Sequence, residues 1–330
     1  MTATAPTPVS PPAPLLDIRD LRVHIPVPGG LARAVDGVDL RIAPGERVGL
    51  VGESGCGKSL TARAVIGLLP KSARVTGAVS FDGRDTVSMS EPERRALRGS
   101  GIAMVFQDPM TYLNPVFTVG DQIAEALPGG IAAADRRARV VELLRRVRLP
   151  EPERAAASYP WQLSGGMRQR ALIAMAIAAS PRLLIADEPT TALDVTVQAG
   201  VLDLLDDLVG ETGMSLLLIS HDLGVVARVC DRVAVMYAGK IVEEGPAREV
   251  LGEPAHPYTR GLLAALRALD AGRVAATIPG QVHPPTHHPP GCRFHPRCRD
   301  AIDRCRREEP GTRPVGDGRS AACHLVESTR

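Results

Sequence analysis

Lysine is scarce in this chain of 330 residues. Lys and Arg together number 39, but only three of them are lysines, at Lys58, Lys71 and Lys240. Aromatic residues make up 3% of the sequence, and the formal net charge is +2. Nucleic-acid-binding proteins usually carry a basic stripe or aromatic stacking platforms, so this composition argues against that class.

Long hydrophobic runs are also missing. No apolar run approaches the about 18 residues that a membrane-spanning helix needs, so we expect any membrane association to be peripheral. Residues 1–14 are mostly Pro, Ala and Thr, which predicts a disordered tail and not a signal peptide. Because 44% of the residues of the chain are hydrophobic, we expect the residues after this tail to form a substantial hydrophobic core. The chain is expected to be globular and to stay in the cytosol.

One of the few lysines lies in the stretch GESGCGKS at residues 52–59, between a strand-like and a helix-like run. The stretch fits G-x-x-x-x-G-K-S/T, in which backbone N–H groups wrap phosphates at a helix N-terminus. We expect its glycines to let the backbone bend and approach the ligand. Lys58 is expected to reach the β- and γ-phosphates, and the Ser59 hydroxyl to bind Mg²⁺. The predicted nucleotide-binding residues here are Gly52, Glu53, Ser54, Gly55, Cys56, Gly57, Lys58, Ser59 and Leu60.

Polar side chains follow three other apolar runs that are predicted to be strands. These side chains are Gln107, Asp187 with Glu188, and His221. The carboxyl ends of parallel strands meet at the edge where α/β sheets bind ligands. There Asp187 is expected to hold Mg²⁺, Glu188 to accept a proton from an attacking water, and His221 to belong to the site. The alternatives are a surface loop for Gln107, a helix cap for the acidic pair and an ordinary histidine for His221.

A serine and two glycines precede a further predicted helix. Ser164 suits the N-cap position, and Gly165 and Gly166 leave the first N–H groups of the helix open to an anion. The alternative is that the three residues only cap the helix. Elsewhere, short strands are expected over residues 15–51 and 77–81, and helical periodicity over 119–150 and 256–269.

Taken in order, these motifs resemble those of ATP-binding subunits of ABC transporters over residues 15–325. Residues 52–59 match Walker A, Gln107 the Q-loop, residues 163–169 the signature, 183–188 Walker B, 192–194 the D-loop and His221 the switch histidine. The sequences FQDPM at 106–110, VAVMYAG at 233–239 and HPYT at 256–259 resemble those of the D-type ATPases of oligopeptide and dipeptide permeases. The ATPases of nickel and glutathione importers share much of these sequences, so the motifs do not decide which solute is transported.

The resemblance implies an α/β fold: a P-loop ABC ATPase core with an antiparallel β subdomain and a helical subdomain. The expected division is an ATPase domain at residues 15–250, with its helical subdomain at about 108–178, and a cysteine-rich C-terminal extension at 251–330. Two such subunits would close head to tail around two ATP molecules. Each nucleotide would lie between Lys58 of one subunit and Ser164, Gly165, Gly166 and Asp194 of the other.

The resemblance also implies the roles of the site residues and the partners. Glu188 would act as general base, His221 would steady the γ-phosphate, and Mg²⁺ would be held by Ser59, Asp187 and Gln107. The implied partners are two membrane permease subunits, a second homologous ATPase and, indirectly, an extracytoplasmic solute-binding protein. The chain would sit on the cytoplasmic face of the membrane as a peripheral protein, and no nucleic acid is expected.

Relatives normally stack an aromatic side chain on adenine from the first strand or the loop after it. No Phe, Tyr or Trp precedes Phe81, and His24 is the only ring in that region. His24 is therefore the candidate for the adenine contact, and discrimination between ATP and GTP stays open.

Four of the six cysteines, Cys292, Cys298, Cys305 and Cys323, crowd the last 40 residues. Clustered cysteines in a reducing compartment suggest a metal before disulfides. No C-x-x-C pair occurs, so the spacing is poor for a zinc ribbon. The segment resembles the C-terminal extension of peptide-permease ATPases, for which a 4Fe-4S cluster is implied. Zinc, with nearby histidines, and thiols without a metal are the alternatives.

Two other function classes compete with the importer. A soluble ABC ATPase acting on nucleic acid or ribosomes would share the ATP motifs, and some of these carry metal-binding cysteines. Near-neutral charge and a single ATPase unit argue against it. A metal-binding regulator that uses ATP only to dimerise is the third interpretation, which rapid hydrolysis would exclude.

Overall fold

The computed structural model describes residues 13–191, 193–270, 278–316 and 318–326. Ala192 of the predicted D-loop and most of the predicted N-terminal tail lie outside them. The strands are β1 (Leu16–Val27), β2 (Gly30–Ile42), β3 (Arg47–Val51), β4 (Arg74–Phe81), β5 (Arg84–Asp85), β6 (Ile102–Val105), β7 (Leu183–Asp187), β8 (Ser215–Ser220), β9 (Arg232–Tyr237), β10 (Lys240–Pro246), β11 (Arg313–Gly316) and β12 (Arg319–Ala321). The α-helices are α1 (Lys58–Ile66), α2 (Glu91–Leu97), α3 (Pro109–Tyr112), α4 (Val119–Ala126), α5 (Ala133–Arg146), α6 (Pro152–Ala157), α7 (Gly165–Ile177), α8 (Val195–Thr212), α9 (Leu223–Val229), α10 (Ala247–Gly252), α11 (Pro257–Asp270) and α12 (Asp303–Arg307).

A small antiparallel sheet has the strand order β2-β1-β4-β5. β1 and β2 form a hairpin in which Val27 pairs with Gly30, and Gly29 adopts a φ of 88° at the turn. The sequence predicted short strands here, whereas β1 and β2 span 12 and 13 residues. Irregularities of register along the β1–β2 pair interrupt the clean alternation that would have revealed the full length.

Within the described residues the main sheet has the order β11-β12-β10-β9-β3-β8-β7-β6. β9, β3, β8, β7 and β6 run parallel. All six residues of β8 and all five of β7 are buried. Parallel strands covered on both faces are expected to be continuous apolar runs, which is why these strands were visible in the sequence. Their carboxyl ends define the edge where the candidate site lies.

The two faces of the main sheet belong to different cores. Leu217 and Ile219 of β8 pack with the small sheet and α1, whereas Leu216 and Leu218 pack with the helices on the other face. This division follows from the strand period of two, which sends successive side chains to opposite faces. The sheet thereby joins the antiparallel layer to the helical layer and fixes the loops between them.

Every element between residues 108 and 178 is helical, from α3 to α7. The helical run expected over 119–150 is interrupted between α4 and α5, at the sequence Pro-Gly-Gly of residues 128–130. Proline and glycine both disfavour a helix interior, and this local signal was overlooked in the periodicity. No helix among the described residues combines the length and apolarity needed to cross a membrane.

The C-terminal region adds two strands to the main sheet. β12 pairs antiparallel with β10, with Glu243 opposite Ala321, and β11 continues beyond β12. Sequence analysis predicted neither strand, because both are too short to show alternation and β11 contains Pro and Gly. The segment that carries the cysteines is therefore joined to the ATPase sheet by backbone hydrogen bonds.

Candidate nucleotide site

The loop between β3 and α1 depends on two glycines for close packing. A Cβ at Gly52 would lie 2.1 Å from the Met236 carbonyl oxygen, and one at Gly57 would lie 2.4 Å from that of Ala34. Gly55 differs, because a Cβ there would meet nothing within 4 Å, although its φ of +79° favours glycine. Gly52 and Gly57 seat the loop on the protein, and Gly55 leaves its outer side open.

Lys58 opens α1 and is buried at 4% exposure. Its Nζ donates hydrogen bonds to the carbonyl oxygens of Gly52 at 2.8 Å and Glu53 at 3.1 Å. Cys56 is fully buried beneath the loop, with its Sγ 3.9 Å from the same Nζ. The ammonium group is thus held inside the loop that wraps around it.

Asp187, the last residue of β7, accepts a hydrogen bond from Ser59 Oγ at 2.9 Å. Burial raises the pKa of this carboxyl, and the charge of Glu188 adds to the effect, while the Ser59 hydrogen bond opposes it. A buried carboxylate beside a hydroxyl is a set of hard oxygen donors of the kind that Mg²⁺ prefers. A cation there would favour the ionised form, so the residues fit a Mg²⁺ ion.

Three polar groups surround the carboxylate of Glu188. Its Oε2 accepts hydrogen bonds from Gln107 Nε2 at 3.1 Å and Thr191 Oγ1 at 2.9 Å, and His221 Nδ1 lies 3.4 Å away. Its backbone adopts a φ of 47°, a conformation that costs a non-glycine residue of order 1 kcal/mol and that clusters at functional sites. Its own N–H donates to the Ile219 carbonyl oxygen, which ties the turn to β8.

A cleft of about 610 Å³ lies above these groups. It is lined by Gly52, Glu53, Ser54, Gly55, Gly57, Lys58, Ser59, Leu60, Gln107, Glu188, His221 and Leu262. The structure therefore brings most of the residues predicted from the first loop together with the three strand-end side chains. Asp187 and Cys56 lie beneath the surface of the cleft and do not line it.

The second predicted phosphate contact lies apart from the cleft. Ser164 caps α7 and accepts a hydrogen bond from Met167 N–H at 3.4 Å, and Ser164 and Gly165 are exposed. A Cβ at Gly166 would lie 2.5 Å from Val197 Cγ1, so this glycine packs α7 against α8. Asp194 caps α8 by accepting from Val197 N–H at 2.9 Å. The four residues form one patch, whose members do not line the cleft.

His24 has a partner of its own. Its Nε2 lies 3.1 Å from Oδ1 of the buried Asp36, and it is not among the residues that line the cleft. Asp36 also pairs with Arg22 and Arg293. The proposed stacking of His24 on adenine stays a prediction, and the contact with Asp36 gives the ring a structural role.

The four C-terminal cysteines are free thiols. Cys292 N–H donates to the Cys305 carbonyl oxygen at 2.9 Å. The pKa of the Cys292 thiol is raised to about 11, first by burial and further by the charges of the other three thiols. Among the described residues, no three His, Cys, Asp or Glu side chains are arranged as ligands of one metal ion. The predicted cluster or zinc site is therefore not preformed in this part of the chain.

Sequence analysis missed one residue that lines the cleft and one that contacts Glu188. Thr191 bonds to Glu188, and Leu262 of α11 brings the C-terminal region to the cleft wall. The position of Thr191 three residues after Glu188 is a signal that could have been used. Leu262 gave none, because it is one apolar residue among several on an amphipathic helix.

Comparisons with known proteins all indicate the same family for this chain. Residues 35–191 match a family described as "ABC transporter", and residues 242–305 match "Oligopeptide/dipeptide transporter, C-terminal region". The chain is 49% identical over 317 residues to the "Probable peptide ABC transporter ATP-binding protein y4tR" of Sinorhizobium fredii, covering 94% of each protein. It is 48% identical over 315 residues to the "Dipeptide transport ATP-binding protein DppD" of Escherichia coli, covering 94% of this chain and 96% of that protein.

The fold is also similar to solved structures. The ATP-binding cassette MJ0796, in a dimeric post-hydrolysis state bound to ADP and Pi, matches with a TM-score of 0.64 and 29% identity. The match covers 71% of this chain and 99% of that one. CbiO1 from Clostridium perfringens, described as part of the ABC transporter complex cbiONQ, matches with a TM-score of 0.63 and 28% identity, over 78% of this chain and 97% of that one.

Proposed function

Because the chain belongs to the family of peptide ABC transporter ATP-binding proteins, we propose that it hydrolyses ATP to drive the import of peptides through a membrane permease. Its relatives along almost the whole length carry names that specify peptide or dipeptide transport. The match to the oligopeptide/dipeptide C-terminal region supports the same solute class over nickel or glutathione. The solute itself is contacted by other subunits.

The polar contacts of the Glu188 carboxylate are the observation that supports ATP hydrolysis at this site. A carboxylate at the cleft wall, with Gln107 and His221 beside it, can accept a proton from a water that attacks the γ-phosphate. We propose that His221 and Gln107 orient that water and the phosphate. Lys58 supplies a positive charge inside the loop for the β- and γ-phosphates.

The proposed Mg²⁺ site lies beside the phosphate-binding loop. Ser59 and Asp187 would hold it, with Gln107 as the proposed third protein ligand. When bound, the ion would offset negative charge on the phosphates. The hydrogen bond between Ser59 and Asp187 brings these two oxygen ligands together at the start of α1 and the end of β7.

The exposed patch of Ser164, Gly165, Gly166 and Asp194 supports a head-to-tail pair of ATPase subunits. The patch does not line this chain's own cleft, yet the N-terminus of α7 presents N–H groups suited to an anion. We propose that it contacts the nucleotide bound to a partner ATPase. A similar cassette has been solved as a dimer.

The remaining partners and the location follow from the transporter class. We propose a peripheral position at the cytoplasmic face of the membrane, on two permease subunits, with a second homologous ATPase and an extracytoplasmic binding protein. Residues 15–250, with the helical region 108–178, are proposed as the ATPase domain, and residues 251–330 as its C-terminal extension.

Affinity purification tests the transport proposal. The tagged chain would be recovered from gently solubilised membranes, and the co-purifying proteins identified by mass spectrometry. We expect two permeases, a second ATPase and a peptide-type binding protein. Recovery of nucleic acid or ribosomal proteins without permeases would instead favour the soluble ABC ATPase.

A second proposal concerns the cysteine segment. The other three thiols lie close enough to Cys292 to raise its pKa, and the four free thiols together are a suitable donor set for a soft metal centre. We propose that Cys292, Cys298, Cys305 and Cys323 hold a 4Fe-4S cluster after a local rearrangement, with zinc as the competing metal.

Anaerobic purification with metal analysis and UV-visible absorption separates these outcomes. The cluster predicts iron and a thiolate-to-iron absorption band that Cys298→Ser abolishes. Cys230→Ser is the matched control, because Cys230 is a free thiol that lies outside the segment. A colourless, iron-free protein with bound zinc would contradict the cluster.

A further inference from the structure

Glu53 of the phosphate-binding loop is held from the C-terminal region. Its backbone N–H donates to Tyr258 Oη at 2.9 Å. Its carboxylate receives two hydrogen bonds from the Arg297 guanidinium, Nη1 to Oε2 at 2.6 Å and Nη2 to Oε1 at 2.9 Å. A bidentate pair of this kind fixes direction as well as distance. Residues more than 200 positions away thus set the placement of a loop residue.

Arg297 is itself firmly located. Its side chain is 5% exposed, and its Nε donates to the Pro279 carbonyl oxygen at 2.9 Å. Its guanidinium carbon lies 5.7 Å from the centroid of the Tyr237 ring. Because the pair is shielded from solvent on the arginine side, salt should screen it less than a surface pair. The guanidinium is a fixed anchor for the loop.

The contacts of Glu53 extend to Lys58. The Glu53 carbonyl oxygen accepts a hydrogen bond from Lys58 Nζ, and the Glu53 N–H is already committed to Tyr258. The side chain, the N–H and the carbonyl of one residue are therefore each engaged. The committed N–H leaves phosphate binding to later N–H groups of the loop, and the Glu53 carbonyl helps the Gly52 carbonyl to hold Lys58.

We propose that Arg297 is a positioning residue for ATP binding, which acts through Glu53 to hold the phosphate-binding loop and Lys58 in the binding conformation. The inference rests on the ATPase function proposed above. It assigns the C-terminal extension a part in nucleotide affinity, whether or not its cysteines hold a metal. Loss of the anchor weakens ground-state and transition-state binding alike, so KM rises and kcat changes little.

The test replaces Arg297 by Met in the full-length chain. The Kd for a fluorescent ATP analogue is measured on the chain, and KM and kcat on the complex purified through its tag. Removing a buried charged hydrogen-bond partner should raise Kd and KM by about tenfold, with kcat within about twofold of the parent. Arg297→Lys should recover only part of the loss, because an ammonium group cannot make the bidentate pair.

Arg319→Met is the matched control. Arg319 is another poorly exposed arginine of the C-terminal region, 11% exposed and 3.5 Å from the buried Glu243, but it does not contact the loop. Its removal should lower stability and leave the Kd for the analogue unchanged. An Arg297→Met protein that is destabilised like the control but binds ATP normally would overturn the inference.

A double-mutant cycle tests the route through Glu53. If Arg297 acts through that carboxylate, the effects of Arg297→Met and Glu53→Gln on Kd should be strongly non-additive, since either change breaks the same pair. Simple additivity would contradict the proposed route. A parent chain without saturable ATP binding would overturn the proposed function and this inference together, whereas a binding parent with an unaffected variant overturns the inference alone.

Discussion

Ser59 Oγ donates a hydrogen bond to Asp187 Oδ1 at 2.9 Å, which joins two residues 128 positions apart at the start of α1 and the end of β7. The carboxylate is buried, and one hydroxyl satisfies only part of its capacity as an acceptor. The buried charge of Asp187 should therefore lower the free energy of unfolding of the metal-free chain. The same charge should favour the binding of a cation.

Replacing Asp187 by Asn should therefore stabilise the metal-free protein and remove its response to Mg²⁺. Asn keeps the size and an acceptor for Ser59 but removes the buried charge, so the free energy of unfolding at neutral pH should rise. Denaturant unfolding with and without Mg²⁺ measures both effects. A variant that is less stable than the parent without Mg²⁺ would contradict this account.

The same substitution has a pH signature. The folded-state pKa of Asp187 lies above its ordinary value of 3.8, so its unfavourable contribution is complete above the folded-state pKa and disappears as the pH falls toward 3.8. The stability gain of Asp187→Asn should shrink over that window. A gain that is constant from about pH 8 to about pH 4 would show that charge is not its cause.

Lys58→Met should weaken ATP binding by at least about tenfold, because a charged hydrogen-bond donor to the phosphates is lost. Equilibrium titration with a fluorescent ATP analogue measures this effect. Lys71→Met is the control, since Lys71 is an exposed lysine that does not line the cleft. Equal affinities of the two variants would remove Lys58 from the phosphate site.

Gly165→Ala should reduce ATP hydrolysis by the assembled transporter by about tenfold or more, while leaving the chain as stable as the parent. Among the described residues, a Cβ there meets only Leu193, at 3.5 Å, so its effect would come from obstructing a nucleotide held by the partner ATPase. Gly210→Ala in α8 is the matched control, because it is also an exposed helical glycine. Unaltered hydrolysis in Gly165→Ala would exclude the proposed contact.

His256 should make the protein sensitive to acid. It is buried, its Nδ1 accepts from Tyr258 N–H at 3.1 Å, and burial lowers its pKa to about 3. Between pH 6.5, where the unfolded imidazole titrates, and about pH 3, only the unfolded state takes up the proton, so stability falls as the pH is lowered.

The substitution that checks this is His256→Asn, which keeps an acceptor without a titrating ring. From about pH 7.5 to about pH 5 the parent should lose up to about 2 kcal/mol more than the variant in denaturant unfolding. His287→Asn, at an exposed histidine, should retain the slope of the parent. Identical slopes for the parent and His256→Asn would rule out this origin.

The residues that sequence analysis found share a local signature. Gln107, Glu188 and His221 each follow an apolar run, and parallel pairing brings the ends of those runs to one sheet edge. Spacing and residue type therefore predicted most of the cleft. The loop at 52–59 was equally accessible, because its motif is contiguous.

What sequence analysis missed depends on contacts without periodicity. Arg297 and Glu53 are 244 residues apart, and neither lies in a patterned helix or strand. β12 pairs with β10, a strand much earlier in the chain, through a three-residue segment too short to alternate visibly. The role of the C-terminal extension at the nucleotide cleft could thus come only from the structure.

Hydrolysis at Glu188 is the central claim, and single-turnover kinetics of Glu188→Gln tests it most directly. In the transporter purified through the tagged chain, ATP binding should be retained while turnover at this site falls by about 10²–10⁴-fold. Gln keeps the size of the side chain and a hydrogen-bond acceptor but cannot take up the proton. Normal turnover with normal ATP binding would contradict the assignment of Glu188 as the general base.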